Sequence, residues 1–493
     1  MTDQITDHMT DDMTKGSRLL ERTAEIAGDY RASLGTRPVG RPVDLAALRR
    51  SLGGPLPDGP TDALTVIEDL AGAVDPYLVA SAGPRYFGFV FGGGLPAALA
   101  ADWLTSTWDQ NAVLYVASPA AAVAEEVAAG WLVDLLGLPA GTSVGFVTGA
   151  TMANFTAMAA ARRAVLARLG WDVDRDGLQG APLVTVITHE GSHVTVAASL
   201  GMLGLGREGD RVRRIASDEQ GRMRPDALRR ELAGIDGPVI VCAQAGNVNS
   251  GAFDPLEEIV SIAHDSEAWV HVDGAFGIWA AAVPSLRHLM RGYREADSWS
   301  TDAHKWLNVP YDSGLVFVRD AAAHHQAMTL GAAYYIETEG AERDPYNWVP
   351  ESSRRARGFT VLAALRSLGR QGLIDLVERD CALARQMAER LAAGPGVTIL
   401  NEVVLNQVLV RFGVNVDPDG AIGDARTRAV IDAAQRDGTC WLGGTRWAGR
   451  AAMRVSVSGW QTTAGDIDRS ADAILACLDE VDRRDGRTRT PIA

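Results

Sequence analysis

Five short apolar runs, rich in β-branched residues, recur along the middle of the chain: "SVGFVT" (143–148), "LVTVIT" (183–188), "PVIVCAQ" (238–244), "AWVHV" (268–272) and "GLVFV" (314–318). They lack the apolar–polar alternation of a half-exposed strand, so they predict strands buried on both faces. Between them, stretches such as 151–169, 193–205 and 255–266 have helical spacing. Strand–helix alternation of this kind predicts an α/β fold, a mostly parallel sheet covered by helices on both sides.

The flanks read differently. Residues 18–35 and 58–80 have helical spacing and are separated by "SLGGPLPDGP", which predicts an N-terminal helical arm over 18–85. Residues 1–17 are polar and read as a disordered tail. A large domain is expected over 86–374. Near 330–358 the periodicity stops in a long polar segment with Pro345 and Pro350, the signature of a functional loop. A long helix with one glycine-containing break is expected over 359–393. Strands at "VTIL", "QVLVRF" and "AAMRVSVS", then a helix from about 464, predict a small α+β C-terminal domain over 375–493.

Composition narrows the function classes. The chain of 493 residues has a net charge of −15, and an acidic chain without a basic aromatic patch argues against nucleic acid or an anionic membrane as partner. No run of about 18 apolar residues predicts a membrane span. The four cysteines form no CxxC pair, so reduced thiols and a cytoplasmic location are expected. The N-terminus lacks the cationic start and apolar core of a signal peptide. No metal site is expected.

One number changes the picture. Of 47 basic residues only two, Lys15 and Lys305, are lysines. Arginine does not give up its proton, whereas a desolvated lysine can and then attacks carbonyls. Lys305 inside the fold therefore points to amine chemistry, against a lone structural salt bridge. Ligands of open parallel sheets bind beyond the carboxyl ends of the strands, and the residues found there complete a pattern. "TGATMANF" follows the first strand, where Gly149, Ala150 and Thr151 form either a phosphate-binding turn at a helix N-terminus or a plain N-capped turn. His193 stacks on a ligand ring or caps a helix. "AGNVNSGAFD" contacts a ligand or only turns the chain. Asp273 needs a cation, a buried arginine or a protonated ring nitrogen. Taken in order, these features describe one ligand, pyridoxal 5′-phosphate (PLP): a phosphate, a flat ring, a basic ring nitrogen and an aldehyde reaching Lys305.

"DAHKWLNVPYDSG", "HVDGAFG", "TGATMANF" and the histidine of "GSHVTV" resemble the group II PLP-dependent amino acid decarboxylases, a family that includes the aromatic L-amino acid, tyrosine and glutamate enzymes. "GPRYFGFV", "ASPAAAVAEEVAAGWL", "PESSRRARGF" and "MRVSVSGWQTT" extend the resemblance over roughly residues 60–480. It implies fold-type I, with a seven-stranded mostly parallel sheet, and a homodimer with shared active sites. It also implies decarboxylation of an L-amino acid to the amine and CO2. Lys305 matches the lysine that bonds the cofactor, His193 the histidine stacked on its ring, Asp273 the partner of the ring nitrogen and Ala275 the other face. Gly149, Ala150, Thr151, His304 and Ser300 match the phosphate cradle, and Asn247 a position near the ring substituents. Arg454 matches an arginine near the substrate carboxylate, or forms a structural pair. Phe89, Val90 and Phe91 match the side-chain pocket; with Trp441 they suggest an aromatic or bulky apolar substrate.

Two departures stand out. Many members carry Asn-Pro before the His-Lys pair, where this chain has Asp302-Ala303. A carboxylate would repel the phosphate, so Asp302 is expected to point elsewhere or to act through its backbone. The loop tyrosine that protonates the substrate carbon in this family has Tyr346 as its nearest match, with Tyr335 behind it. The rival readings are an aldehyde synthase (decarboxylation with oxidative deamination), another carbon–carbon lyase on the same fold, and a non-catalytic scaffold.

Overall fold

A computed structural model describes residues 2–329, 342–413, 417, 420–484 and 486. Seven strands form the large sheet: β1 (Ser143–Val147), β2 (Thr185–His189), β3 (Val212–Ile215), β4 (Val239–Gln244), β5 (Trp269–Asp273), β6 (Ser298–Asp302) and β7 (Gly314–Val318). Their order is β1-β7-β6-β5-β4-β2-β3. Strands β2 to β6 run parallel, and β7 is antiparallel to both its neighbours.

Each of the five apolar runs contains a strand, and each of those strands is buried along its length. One face packs Phe146, Val241, Val270, Val272 and Phe317 into one core. The other packs Val147, Ile240, Val316 and Val318 against the helix Ala150–Ala167. The remaining strands were not legible as apolar runs. β3 lies at the sheet edge, and between its buried ends it carries the half-buried Arg213 and the exposed Arg214. β6 reads "SWSTD" and is buried although polar, because its side chains face the site and a hydrogen-bond network.

A second sheet, β8 (Val397–Ile399), β9 (Gln407–Phe412), β10 (Gly443–Trp447) and β11 (Arg450–Ser456), is antiparallel throughout. The helix Gly358–Ala392 leads into it, broken at Gly369, where φ is 60°. The N-terminal helix runs Thr2–Ser33. It therefore continues through the stretch expected to be a disordered tail, where no proline interrupts the ladder of backbone hydrogen bonds. Among the described residues no helix is long and apolar enough to cross a membrane. All four cysteines are buried and unpaired.

The segment 84–92 ties arm, second sheet and site together. Arg85 is buried and donates to the carbonyls of Gly35 and Thr439. The Phe87 amide donates to Trp441 O at 2.7 Å. Phe89 and Val90 then both take left-handed φ values, 53° and 63°, a conformation that costs non-glycine residues on the order of 1–3 kcal/mol each. That turn buries Val90 and leaves Phe89 about half exposed, on the wall of the cavity described next. Gly92 passes so close to the Lys305 carbonyl that a Cβ would sit 2.0 Å from it.

Candidate active site

A cavity of about 570 Å³ opens at the carboxyl ends of the strands. Residues 148–151 after β1, His193 and Thr195 after β2, Val248 after β4 and Ala275 after β5 form much of its lining. Asp302, His304, Lys305 and Tyr311 come from β6 and the turn into β7, Phe89 and Phe91 from the strained segment, and Arg454 from β11. Sheet register explains the convergence. Asp273 pairs with Ser300, Asp302 with Gly314, and Gly314 with Val147. Gly314 is needed there, because a Cβ would meet the Gly149 Cα at 2.4 Å.

Lys305 Nζ lies 2.9 Å from Asp302 Oδ2, and the lysine side chain is only 17% exposed. The other oxygen, Asp302 Oδ1, accepts the Ala150 N–H at 2.5 Å and lies 3.3 Å from His304 Nε2. This corrects the expectation that Asp302 points away from the cradle. The ammonium and the positive helix N-terminus compensate its charge, so it is turned inward. His304 accepts the Ser313 N–H at Nδ1 and stacks on Tyr311, with ring centroids 4.2 Å apart. Burial holds the His304 ring below its ordinary pKa, against the pull of Asp302. The loop is held by Asn308, whose amide donates to Trp306 O and Ser458 O. Trp306 Nε1 donates to Asp380, a carboxyl that burial pushes up to about 7.

His193 starts the helix Val194–Met202. Its Nδ1 accepts the Thr195 N–H at 3.4 Å and lies 2.8 Å from Thr195 Oγ1. With Nδ1 occupied as an acceptor, the proton of the neutral ring sits on Nε2. Burial lowers the His193 pKa, opposed chiefly by Asp273, so the ring is neutral at neutral pH.

Asp273 lies just behind the lining, 3% exposed. Its Oδ1 accepts the Ala275 N–H and its Oδ2 accepts Asn154 Nδ2 at 3.3 Å. Among the described residues no salt bridge reaches it, so the buried-arginine alternative is not realised. A buried carboxylate with only neutral partners suits a protonated ring nitrogen. The Arg454 side chain likewise has no hydrogen bond or ion pair among the described residues, and burial lowers its pKa; its guanidinium is available to a carboxylate.

Aromatic rings form the side-chain wall. Tyr86 stacks on Trp441 at 5.0 Å, Phe89 lies 5.4 Å from Trp441 and 5.9 Å from Phe91, and Phe91 lies 4.9 Å from Tyr311. Tyr311 and Thr195 were not singled out from the sequence, although both lie within stretches that were.

Three candidates sit elsewhere. Ser300 is fully buried and donates to Asn154 Oδ1 at 2.6 Å, behind the cradle rather than in it. Asn247 spends its amide on Gly191 O and Gln244 Oε1 and accepts the Asn249 and Ser250 N–H groups; it shapes the turn, and Val248 takes the lining position. Tyr346 lies in the turn Pro345–Trp348, buried with Val113 and Leu114. Its amide donates to Val113 O, and it does not line the cavity, which corrects its expected place beside the substrate. Tyr335 lies outside the described residues.

The donor set fits PLP: a turn and helix N-terminus of small residues at 149–151, an uncompensated carboxylate at Asp273 and an amine at Lys305 define a fold-type I cofactor site. Residues 46–413 match the pyridoxal-dependent decarboxylase conserved domain. The chain belongs to the pyridoxal-dependent decarboxylase family, and PLP is its cofactor. It is 32% identical over 400 residues to an L-2,4-diaminobutyrate decarboxylase of Rhizobium meliloti (strain 1021), covering 79% of this chain and 77% of that one. It is 25% identical over 468 residues to an aromatic-L-amino-acid decarboxylase of Bacillus atrophaeus, covering 93% and 95%. The crystal structure of Oryza sativa TDC with PLP and tryptamine has the same fold, with a TM-score of 0.88 at 23% identity over 95% of this chain and 98% of that one.

Proposed function

We propose that this PLP-dependent amino acid decarboxylase acts on L-amino acids with aromatic or bulky apolar side chains. The supporting observation is the wall of Phe89, Phe91 and Tyr311, backed by Trp441. The lining carboxylate, Asp302, is already engaged by Lys305 and Ala150, which leaves no free acid among the described lining residues for a cationic side chain.

In this reading Lys305, the one lysine lining the cavity, would be the amine that holds the cofactor's aldehyde group. The turn at 149–151, whose Ala150 N–H is given to Asp302, would hold the phosphate with His304. Asp273 would hold the ring nitrogen protonated, and Ala275 and His193 would pack its two ring faces. Bound PLP supplies the electron sink that takes up the pair left when CO2 departs. Arg454 pairs with the substrate carboxylate and orients the bond to be broken. His193 delivers a proton from Nε2 to Cα; Tyr346, packed with Val113 and Leu114, does not line this chain's cavity. Residues 330–341, in the segment expected to be a functional loop, lie outside the described residues.

The same reading includes a helical arm (18–85), a large domain (86–374), a small domain (375–493) and a homodimer in a reducing, cytoplasmic compartment. Exposed Trp103, Leu104 and Trp108, with Val116, Val123, Val127 and Trp131, support an interface between subunits. Sedimentation of the holoenzyme at the mass of one chain counts against it. The substrate assignment is tested by measuring CO2 and amine from each of the twenty amino acids. Aromatic substrates are expected to turn over fastest. Preference for a charged side chain overturns the substrate reading, and aldehyde, ammonia and peroxide in place of amine overturn the product.

A further inference from the structure

Behind Asp273 lies a closed set of polar side chains from the helix Ala150–Ala167, β5 and β6. Asn154, His271, Ser298 and Ser300 are all fully buried. Trp269 Nε1 donates to Ser298 Oγ at 2.9 Å, and Ser298 Oγ lies 2.9 Å from His271 Nδ1. His271 Nε2 lies 3.0 Å from Asn154 Oδ1, Ser300 Oγ donates to the same oxygen at 2.6 Å, and Asn154 Nδ2 reaches Asp273 Oδ2 at 3.3 Å.

The direction of every proton in this set follows from its two ends. A carboxylate only accepts, so the Asn154 atom facing Asp273 is the amide nitrogen. Asn154 Oδ1 must then accept, so His271 carries its proton on Nε2. Nδ1 is therefore the acceptor, and the hydroxyl hydrogen of Ser298 points to it. The Ser298 oxygen is left to receive the indole N–H, which can only donate. All the donors run one way, toward Asp273, and aligned hydrogen bonds strengthen one another in a low-dielectric interior. A protonated His271 would present a second donor where Ser298 supplies one. Burial prevents this by holding the His271 pKa near 4, against the pull of Asp273.

We propose that Asn154 and His271 are positioning residues that fix the rotation of the Asp273 carboxylate and stabilise its charge, and so set how firmly the cofactor's ring nitrogen holds its proton. The observation that calls for such a device is the absence of any salt bridge to Asp273 among the described residues. A carboxylate lacking a cation before the cofactor arrives needs neutral donors to remain ionised when buried. Asn154 and the Ala275 N–H take one oxygen each, leaving a further acceptor position on each. The titratable groups that act on this carboxylate or feel its charge are His193, His271 and Cys242. Neither Asn154 nor His271 lines the cavity, so neither is a catalytic residue.

The inference rests on the PLP reading of the site, and the experiment separates the two. Full-length enzyme is stripped of PLP, and PLP affinity is measured by titration. The visible absorbance of the reconstituted protein is then followed across pH. Asn154→Leu, similar in volume but without donor or acceptor, is expected to weaken PLP binding about tenfold, the scale of one hydrogen bond to a charged group, and to move the pH at which the spectrum changes. His271→Phe is expected to act in the same direction. His271→Gln, which can donate to Asn154 and accept from Ser298, is expected to restore both readouts to within about threefold of wild type. A role confined to packing would not move the spectral pH profile or let Gln rescue it. If Asn154→Leu fails to fold, Ser300→Ala carries the same test, because it removes one donor from Asn154 and leaves a space of one oxygen. Unchanged affinity and unchanged pH profile in folded His271→Phe, together with either Asn154→Leu or Ser300→Ala, overturn the proposal. Wild-type protein that binds no PLP overturns the cofactor reading instead.

Discussion

Asp273 and Asp302 end neighbouring strands, are equally buried at 3% exposure, and are stabilised in opposite ways. Asp302 is surrounded by positive charge: the Lys305 ammonium at 2.9 Å and the N-terminus of the helix Ala150–Ala167. Asp273 has neutral donors and no ion pair among the described residues. Two carboxylates of one kind thus offer different things to an incoming molecule. Asp273 attracts a cation that the fold withholds. Asp302 has its charge already compensated, and its remaining influence on an entering phosphate is repulsive. Burial alone does not distinguish the two carboxylates; what separates them is the charge of the first partner.

The comparison can be broken at its cation. Lys305→Ala removes the amine and leaves Asp302 with the helix N-terminus but no full cation to offset its charge. CO2 release is expected to fall by at least about 1,000-fold, and borohydride reduction should no longer fix PLP to the protein. Retained turnover would dissociate the lysine from the chemistry. A second effect appears in acid. His271, behind Asp273, has a folded pKa of about 4 against about 6.5 when unfolded. The unfolded chain therefore binds more protons between those values, so the stability contribution is complete above pH 6.5 and lost as pH falls to 4. That amounts to about 3 kcal/mol, read as a falling melting temperature over this window. The slope should be shallower in His271→Gln.

Next in size, Asp273→Asn keeps the shape but not the charge. PLP affinity is expected to weaken by about 30-fold, on the scale of a charge-assisted hydrogen bond. Asp302→Asn makes the same chemical change one strand away and should have the opposite sign. It retains an acceptor for the Ala150 N–H and removes the repulsion, so PLP binding is expected to tighten by about threefold to tenfold. Titration of stripped enzyme measures both. A loss of affinity in both variants would show that the two carboxylates serve the cofactor alike.

The chemistry that a residue type must perform at a strand end was legible, and its wiring was not. His193 and Asp273 could be singled out because each follows a legible buried strand, and Lys305 because lysine is scarce. The tilt of Asp302 could not, since it depends on a helix N-terminus 152 positions away in the chain. Asn154 was read only as part of the helical stretch 151–169; its partners come from β5 and β6, which pair in space without any local sign. β6 escaped detection for the same reason that it matters: its serines and aspartate serve the site and its network, at the expense of strand hydrophobicity. Tyr346 shows the opposite failure. A tyrosine at about the right distance in sequence was turned into a small apolar cluster by the turn that Pro345 begins.

The scarcity of lysine and the burial of every cysteine also make the protein easy to address chemically. The thiols of Cys381 and Cys440 are pushed up to about 12 and that of Cys477 to about 11, so at neutral pH they offer almost no thiolate to an alkylating reagent. A cysteine introduced on the surface would be the preferred attachment point for a fluorophore or cross-linker. An amine-directed probe would meet only the chain terminus, Lys15 and Lys305, so protection of Lys305 by bound PLP could be followed on the intact protein by mass alone.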